Sequence, residues 1–341
     1  MEQLSNFTTL KVGGPAQKIV HAHTEDELVE FVKAADKAGE KVLILGGGSN
    51  LLISDAGFAG TVIRVESKGN ALDYDACSGG MIEVSAGEDW DKFVELTIEK
   101  GFADLESLSG IPGTVGGAPI QNIGAYGHEV SETIARVKAY DRKKGEVITF
   151  TNEQCHFSYR NSAFKEDAGR YVILNVTFQL RKGEMSLPIT YAELANYLSV
   201  NLGDRAPVMK VRQAVLELRG RKGMLINSSD VNSNSAGSFF VNPILTKDVA
   251  DKLPTDAPRW PQSDGRVKTS AAWLMEHAGV SKGEKIAGAQ ISNKHVLALT
   301  NSGDATADDI IELAKMARAK VFEKFGIKLE AEVQLVGLDL N

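Results

Sequence analysis

A stretch without regular periodicity, SLSGIPGTVGGAPIQNIGAYG (107–127), constrains the fold of this 341-residue chain more than any other feature. It contains six glycines, and connections inside a compact domain are ordinarily much shorter, so a loop of this length is usually functional. Its prolines, glycines and amide side chains surround Ile120, Ile123 and Tyr126. Such a loop can enclose a flat ring system and contact the polar edge of the ring with backbone groups. We therefore expect a ligand-binding loop here.

A second glycine-rich loop, LGGGSN, lies between two predicted buried strands. Gly46, Gly47 and Gly48 let backbone amides approach a ligand closely, an arrangement that favours anions. Ser49 and Asn50 add side-chain hydrogen bonds. Three glycines exceed the need of a strand-to-strand turn, which favours a diphosphate cradle over a plain turn. No Gly-Lys-Ser/Thr follows, and a strand-like run comes next, so neither a P-loop nor a Rossmann fingerprint is present.

The rest of the chain mixes helical and strand patterns without an internal repeat. Predicted helices cover 28–39, 89–101 with Asp89 as N-cap, 191–198, 208–220, 271–279 and 307–326. Predicted strands cover 41–45, 61–65, 81–87, a hairpin at 136–150, 171–180, 295–301 and 328–337. This pattern predicts an α+β fold with a boundary near residues 220–232.

Composition narrows the function classes. The net charge of −7 argues against a nucleic-acid partner, and the RGRK cluster fits a solvated helix end or one or two phosphates. The sequence contains no run of about 18 apolar residues, so we expect no membrane span. Its N-terminus has no basic segment followed by an apolar one, so we expect no export. Cys77 and Cys155 have neither metal-like spacing nor a disulfide framework. We expect a cytoplasmic protein without a metal site.

Five motifs together carry a family resemblance: LGGGSN, PGTVGGAPIQNIGAYG, YRNSAFK, AGSFFVNP and LEAEV. In this order and spacing they resemble the UDP-N-acetylenolpyruvoylglucosamine reductases, flavoenzymes of peptidoglycan precursor synthesis, over nearly the whole chain. The resemblance implies a monomer with non-covalent FAD that is reduced by NADPH. The reduced flavin delivers hydride to C3 of the enolpyruvyl ether of UDP-N-acetylglucosamine enolpyruvate, and a proton at C2 completes UDP-N-acetylmuramate. The cofactor carries the redox step, and the protein positions it and supplies the proton.

The resemblance also implies the domain organisation. It predicts a two-part FAD-binding domain of the vanillyl-alcohol-oxidase/PCMH type at 1–220, with subdomains at about 1–56 and 57–220. A C-terminal α+β domain at 221–326 would bind the substrate, and the strand at 327–341 would return to the FAD-binding domain. The predicted cofactor-binding residues are Gly46, Gly47, Gly48, Ser49, Asn50, Pro112, Gly113, Thr114, Gly116, Gly117, Ile120, Gln121, Asn122, Gly124, Ala125, Tyr126 and Gly127.

Three residues match the family's catalytic positions. Arg160 in YRNSAFK is the permanent cation facing the enolate carboxylate, since its planar fork suits a planar anion. Ser238 in AGSFFVNP is the proton donor to C2; from its local sequence alone it could equally be a turn residue. In LEAEV, strand spacing cannot choose between Glu330 and Glu332, and the resemblance selects Glu332 as the acid near C2.

Four further residues are implied substrate contacts. Tyr191 matches the branch of the family whose tyrosine closes over the substrate. Lys222, three residues after Arg219, matches an R-x-x-K that contacts the diphosphate or the pyruvyl group. Asn242 matches a substrate-binding asparagine, and His295 stands where relatives carry glutamine. An imidazole replaces one of the two amide hydrogen bonds.

Two other functions fit parts of the pattern. A flavoprotein oxidase of the same fold would need the matches at Arg160, Ser238 and Glu332 to be accidental. A nucleotide-sugar-binding protein that has lost its flavin would not need the intact loop at 112–127. The reductase is therefore the favoured interpretation.

Overall fold

The computed structural model describes residues 1–75 and 79–341, so Cys77 lies outside the described residues. The chain forms two compact units. The first comprises Met1, Ala16–Gly48 and Ala59–Arg221, and the second comprises Glu2–Pro15, Ser49–Phe58 and Lys222–Asn341. Both combine helices and strands, which confirms the predicted α+β class.

The helices are α1 (Glu25–Lys37), α2 (Trp90–Glu99), α3 (Ala163–Glu166), α4 (Ala192–Leu198), α5 (Val208–Arg221), α6 (Lys247–Ala250), α7 (Ala271–His277) and α8 (Ala307–Phe325). The strands are β1 (Ala16–Ala22), β2 (Val42–Leu45), β3 (Leu51–Ile53), β4 (Phe58–Val65), β5 (Asn70–Asp75), β6 (Gly79–Ser85), β7 (Gly124–Ala125), β8 (His128–Glu129), β9 (Ile134–Asp141), β10 (Glu146–Thr151), β11 (Tyr171–Leu180), β12 (Ser235–Ser238), β13 (Ile244–Leu245), β14 (Trp260–Pro261), β15 (Val267–Lys268), β16 (Lys285–Ile286), β17 (Ala289–Ile291), β18 (Ala298–Asn301) and β19 (Gln334–Val336).

The first unit is built on two sheets. One has the strand order β10-β9-β11-β6-β5, antiparallel throughout, and the other has the order β1-β4-β2 with β2 parallel to β4. Helix α1 begins after Thr24, whose side chain accepts from the Glu27 amide, and buries Leu28, Val32 and Ala35 at helical spacing. Local capping and periodicity therefore suffice to specify this helix.

Helix α2 holds the long loop in place. Its predicted N-cap Asp89 accepts a hydrogen bond from the Lys92 amide, as expected. Trp90 is buried against Phe93 and Phe178, and its indole Nε1 donates to the Leu108 carbonyl at 2.9 Å. The aromatic core of the first unit thus fixes the start of the loop.

The second unit contains the sheet β12-β18-β17-β16 and the long helix α8. Thr306 and Asp309 form a capping box at the start of α8, and Gly326 ends it in the left-handed conformation. Phe239 and Phe240 are buried in this core. Strand β19 pairs in parallel with β3, directly after the LGGGSN loop.

Two predicted strands are shorter than expected. Of 328–337 only Gln334–Val336 is a strand, because the chain changes partners there: the Glu332 amide bonds Phe239, whereas the Gln334 amide bonds Asn50. Of 295–301 only Ala298–Asn301 is a strand, because the Ala298 amide bonds the His295 carbonyl and forms a turn. The predicted functional domains stay a prediction, since compactness does not assign a ligand to a domain.

Candidate active site

The two glycine-rich loops meet within the first unit. A Cβ placed on Gly46 would lie 2.5 Å from Thr114 Oγ1, and one on Gly47 would lie 2.6 Å from Gly113 Cα. Real Cβ atoms do not tolerate such distances, so these two glycines are required by the contact between the loops. The sequence suggested ligand approach as their purpose; the structure adds loop packing.

The second loop is anchored to its surroundings by backbone bonds. The Trp90 amide donates to Gly113, and the Gly116 amide donates to Ala86 at 2.8 Å. Gly116 is buried, and a Cβ there would meet Ala86 Cβ at 2.6 Å. By contrast, Gly117 is exposed, and a Cβ added there would lie 3.8 Å from its nearest neighbour, Thr114 Oγ1. Glycine therefore has a packing role at 116 and leaves open surface at 117.

The end of the loop has an unusual backbone. Asn122 and Tyr126 adopt positive φ angles of 47° and 50°, which L-residues rarely do. The Asn122 side chain donates to Glu129 Oε2 at 2.7 Å and to the Ser158 carbonyl at 3.1 Å, and accepts from the Ser131 amide at 3.0 Å. Such strain persists where surrounding contacts impose it, often at functional sites. Asn122 thus supports the loop from within.

The chemistry of the two loops fits a non-covalently held, flat diphosphate cofactor. Their polar groups are backbone amides, the Thr114 hydroxyl and carboxamides, and neither loop has a histidine or cysteine for a covalent link. Ile120 offers an apolar side chain that is 39% exposed. Over residues 1–75 and 79–341 we find no cluster of acidic, histidine and cysteine side chains suited to a metal ion.

Arg160 is also held in a positive-φ conformation, at 54°. Its Nη2 donates to the Gly124 carbonyl at 2.8 Å, and Lys165 Nζ donates to the Arg160 carbonyl at 2.9 Å. Its guanidinium carbon lies 5.3 Å from the centroid of the Tyr159 ring. The predicted cation is therefore fixed against the loop that contains the predicted cofactor residues Gly124 and Ala125.

Within the second unit a backbone hydrogen bond joins the segments that contain Ser238 and Glu332. The Glu332 amide donates to the carbonyl of Phe239, the neighbour of Ser238, at 2.8 Å, and the Val241 amide donates to Glu330 at 3.0 Å. Asn50 Nδ2 donates to the Glu332 carbonyl at 3.1 Å. Glu332 is half-buried whereas Glu330 is exposed. Burial thus favours the same glutamate as the resemblance.

The predicted substrate residues differ in setting. Tyr191 is 41% exposed, and its ring meets Tyr126 edge-on at 5.5 Å between centroids. Asn242 Oδ1 accepts from the Ala271 amide at 2.9 Å, so this side chain also supports the start of α7. Lys222 is the first residue of the last segment of the second unit, and its positive charge contributes to the lowered pKa of His295.

His295 has a defined protonation state. Its Nδ1 accepts from the Leu297 amide at 3.1 Å, which leaves the proton of the neutral ring on Nε2. Burial, together with the charges of Lys222 and Lys282, lowers the pKa of His295 to about 4. At neutral pH the residue is an uncharged N–H donor, like one half of a glutamine amide.

Three residues outside the predicted site, Asp91, Arg212 and Arg219, contribute to the first unit's loop. Asp91 Oδ1 accepts from the Gly110 amide at 2.6 Å and pairs with Arg212 at 2.6 Å. Burial alone would raise the pKa of Asp91. The hydrogen bonds from Arg212 and Gly110 outweigh this effect, so the pKa of Asp91 lies below its ordinary value. Arg219 Nε donates to the Gly110 carbonyl at 3.1 Å. The R-x-x-K motif pointed to Arg219, whereas nothing local marked Asp91.

Arg160 belongs to the first unit, and Ser238, Asn242 and His295 belong to the second.

No described helix combines the length and apolar character needed to cross a membrane.

Comparisons with known proteins match both units. Residues 229–336 match the family model described as UDP-N-acetylenolpyruvoylglucosamine reductase, C-terminal domain, and residues 16–151 match an FAD binding domain. The chain is 50% identical over 337 residues to a UDP-N-acetylenolpyruvoylglucosamine reductase of Cutibacterium acnes, covering 98% of this chain and 89% of that protein. It is 47% identical to the Streptomyces avermitilis reductase, covering 99% and 94%. The crystal structure of the Thermus caldophilus reductase is similar with a TM-score of 0.66 and 26% identity, covering 98% and 97%.

Proposed function

Because this chain belongs to the UDP-N-acetylenolpyruvoylglucosamine reductase family, we propose that it reduces UDP-N-acetylglucosamine enolpyruvate to UDP-N-acetylmuramate with NADPH as electron donor. Membership makes it an FAD-dependent oxidoreductase of peptidoglycan precursor synthesis. The observation that carries this proposal is the match to the reductase family over nearly the whole chain; the backbone bond between the Ser238 and Glu332 segments agrees with the proposed roles of those residues.

The two glycine-rich loops would hold FAD. A Cβ on Gly46 would meet the Thr114 hydroxyl, and a Cβ on Gly47 would meet the Gly113 backbone, so the two loops lie in close contact. Bound there, FAD supplies the hydride that adds to C3 of the substrate's enolpyruvyl group. The loop amides would bind its diphosphate, and the part of the second loop that presents the exposed Ile120 would contact its ring.

Three side chains would complete the reduction at C2. The Arg160 guanidinium stabilises the carboxylate of the enolate that forms when C3 accepts hydride; one such preorganised interaction is worth roughly 3–4 kcal/mol. Glu332 shares a proton with the enol oxygen. The Ser238 hydroxyl gives its proton to C2, and general acid catalysis of this kind contributes about 10²–10⁴ in rate. The assignment of Arg160 and Ser238 to one substrate rests on family membership.

Four residues would hold the remainder of the substrate. Tyr191 is exposed enough to reach a ligand, and its ring already contacts Tyr126. Lys222 would pair with the diphosphate, and His295 would donate Nε2–H to a neighbouring oxygen. Asn242 would donate from Nδ2, because its Oδ1 already accepts from the Ala271 amide. We further assign FAD to 1–220 with the strand at 327–341, substrate to 221–326, and a monomer in the cytoplasm to the whole.

The direct test is spectroscopic. The purified protein, or the protein given FAD, should show a flavin absorbance band, and UDP-N-acetylglucosamine enolpyruvate should drive NADPH oxidation without oxygen. A protein that takes up no FAD contradicts the proposal. A flavoprotein that oxidises other alcohols or sugars with oxygen, but leaves this substrate unchanged, supports the oxidase instead.

A further inference from the structure

Three consecutive residues, beginning with Tyr126 in the strained end of the second glycine-rich loop, each contact one residue of the segment that ends at Tyr191. We name residues 126–128 the docking turn and residues 186–191 the tyrosine segment. The rings of Tyr126 and Tyr191 lie 5.5 Å apart between centroids. A Cβ added to Gly127 would lie 2.2 Å from Thr190 Oγ1. Nε2 of His128 lies 3.1 Å from the Pro188 carbonyl. All of them belong to the first unit.

His128 is buried and bonds through both ring nitrogens. Its Nε2 faces the Pro188 carbonyl, which can only accept, so Nε2 must carry a proton. Its Nδ1 lies 2.8 Å from Glu132 Oε2, and a hydrogen bond there needs a second proton between the two groups. A neutral imidazole beside an ionised carboxylate has one proton for the two bonds. The full contact therefore requires the imidazolium.

The charges around His128 favour the cation. Burial lowers the pKa of His128, but the bond and charge of Glu132, the Pro188 carbonyl and the charge of Glu106 together raise it above 6.5. Glu106 belongs to the 3₁₀ helix Glu106–Leu108 that packs against β8. The neighbouring strand β7, Gly124–Ala125, has no titratable side chain.

Glu106 is itself part of the contact with the tyrosine segment. Its Oε1 accepts from the Leu187 amide at 3.3 Å, next to the carbonyl that His128 binds, and its Oε2 accepts from the Asp104 amide at 2.7 Å. Asp104 in turn pairs with Arg181 at 2.5 Å. The two phenols at the far end of the segment stay uncharged, since burial raises the pKa of Tyr191 and brings that of Tyr126 to about 12.

We propose that His128 is a positioning residue: as an imidazolium it latches the tyrosine segment to the docking turn, and its deprotonation releases the segment at Pro188. The consequence for Tyr191 in substrate binding rests on the proposed function. The raised pKa of His128 means that the latch is complete below pH 6.5 and weakens as pH rises through the folded-state value. The pKa of Glu132 is lowered, so its carboxylate keeps the bond to His128 down to a pH below the ordinary glutamate pKa.

The wild-type protein without substrate tests the latch. Amide hydrogen exchange of 186–195 is followed by mass spectrometry from pH 6 to 9, corrected for intrinsic exchange with peptides from α8. Since the hydrogen bond lost is one from a charged group, we expect protection to fall by roughly 10- to 100-fold, with a midpoint equal to the His128 titration seen by NMR. Protection that stays constant through that titration, or an imidazole already neutral at pH 6, overturns the proposal.

Two variants separate a latch from general stability. His128→Gln keeps a donor for the Pro188 carbonyl but cannot titrate, so exchange and the KM for the UDP-sugar lose their pH dependence while flavin reduction by NADPH keeps its rate. Glu132→Gln retains the bond to the Glu129 amide and shifts the His128 titration to lower pH. An unchanged midpoint in Glu132→Gln, or a wild-type pH profile of KM in His128→Gln, contradicts the latch. Because exchange is measured without substrate, absent turnover would count against the proposed function alone.

Discussion

The main-chain amide of Glu332 donates a 2.8 Å hydrogen bond to the carbonyl of Phe239. Phe239 directly follows Ser238, and its buried ring anchors this part of the chain in the core of the second unit. The segments that carry the two candidate proton-handling side chains are therefore held by backbone bonding and by core packing. The two glutamates of this segment differ in exposure, since Glu332 is half-buried and Glu330 is exposed.

Replacing Glu332 tests that distinction. We expect Glu332→Gln to slow substrate reduction by about 10²–10⁴, the range for a lost general acid or base, because an amide cannot share a proton with the enol oxygen. Glu330→Gln is the matched control, since Glu330 is the exposed neighbour on the same segment. Steady-state kcat at saturating NADPH measures the effect. Equal rates in the two variants would remove Glu332 from the mechanism.

The contact between the glycine-rich loops predicts different effects of two alanine substitutions. Gly47→Ala forces a Cβ against Gly113 Cα, and overpacking of this kind costs about 1–3 kcal/mol of unfolding free energy. Gly117→Ala meets its nearest neighbour at 3.8 Å and should leave the stability of the FAD-free protein unchanged. Urea denaturation of the FAD-free proteins measures both. A Gly117→Ala variant destabilised as strongly as Gly47→Ala would refute the loop packing described above.

Arg160→Lys keeps the charge and tests its geometry. Lysine can adopt the same positive φ at equal strain, but it lacks the planar fork that binds Gly124 and that we propose binds the enolate carboxylate. We expect kcat to fall by about 10²–10³, as for loss of one preorganised donor. Arg266→Lys, at an exposed pair with Asp264, is the control. Wild-type turnover in Arg160→Lys would show that charge alone suffices.

His295 makes a pH prediction. Its folded-state pKa of about 4 lies below the ordinary 6.5, so between these values the unfolded chain binds a proton that the folded chain does not. Unfolding free energy should therefore fall with decreasing pH in this window, with His295 contributing up to about 1.4 kcal/mol per pH unit. His295→Gln should remove this contribution and retain substrate affinity, because the amide also donates one N–H. Urea denaturation from pH 4.5 to 7.5 gives the two slopes; identical slopes would mean that His295 titrates normally.

Local patterns predicted much of the fold. Asp89 marks the start of α2 through a contact within one turn, and such contacts are visible in sequence. The change of strand partner at Glu332–Gln334 was not predictable, because it depends on Phe239 and Asn50, which lie far away along the chain. Alternation of side chains is the same whichever partner a strand has.

The candidate site divides in the same way. Motifs pointed to Arg160, Ser238 and Glu332, but spacing alone could not separate Glu332 from Glu330. The positive φ of Arg160 and the two-sided bonding of His128 depend on the tertiary surroundings of single residues. A buried Glu106 has no sequence motif, since burial of a carboxyl is decided by the segments that cover it.

The central claim is that Ser238 protonates the substrate, and the flavin half-reactions of Ser238→Ala test it most directly. In anaerobic stopped-flow experiments the variant should be reduced by NADPH at the wild-type rate. Reoxidation by UDP-N-acetylglucosamine enolpyruvate should be slower by about 10²–10⁴. Ser281→Ala, at an exposed serine of the same unit, should match the wild type in both steps. Wild-type reoxidation in Ser238→Ala would contradict the account and leave Ser238 with only a structural role at the end of β12.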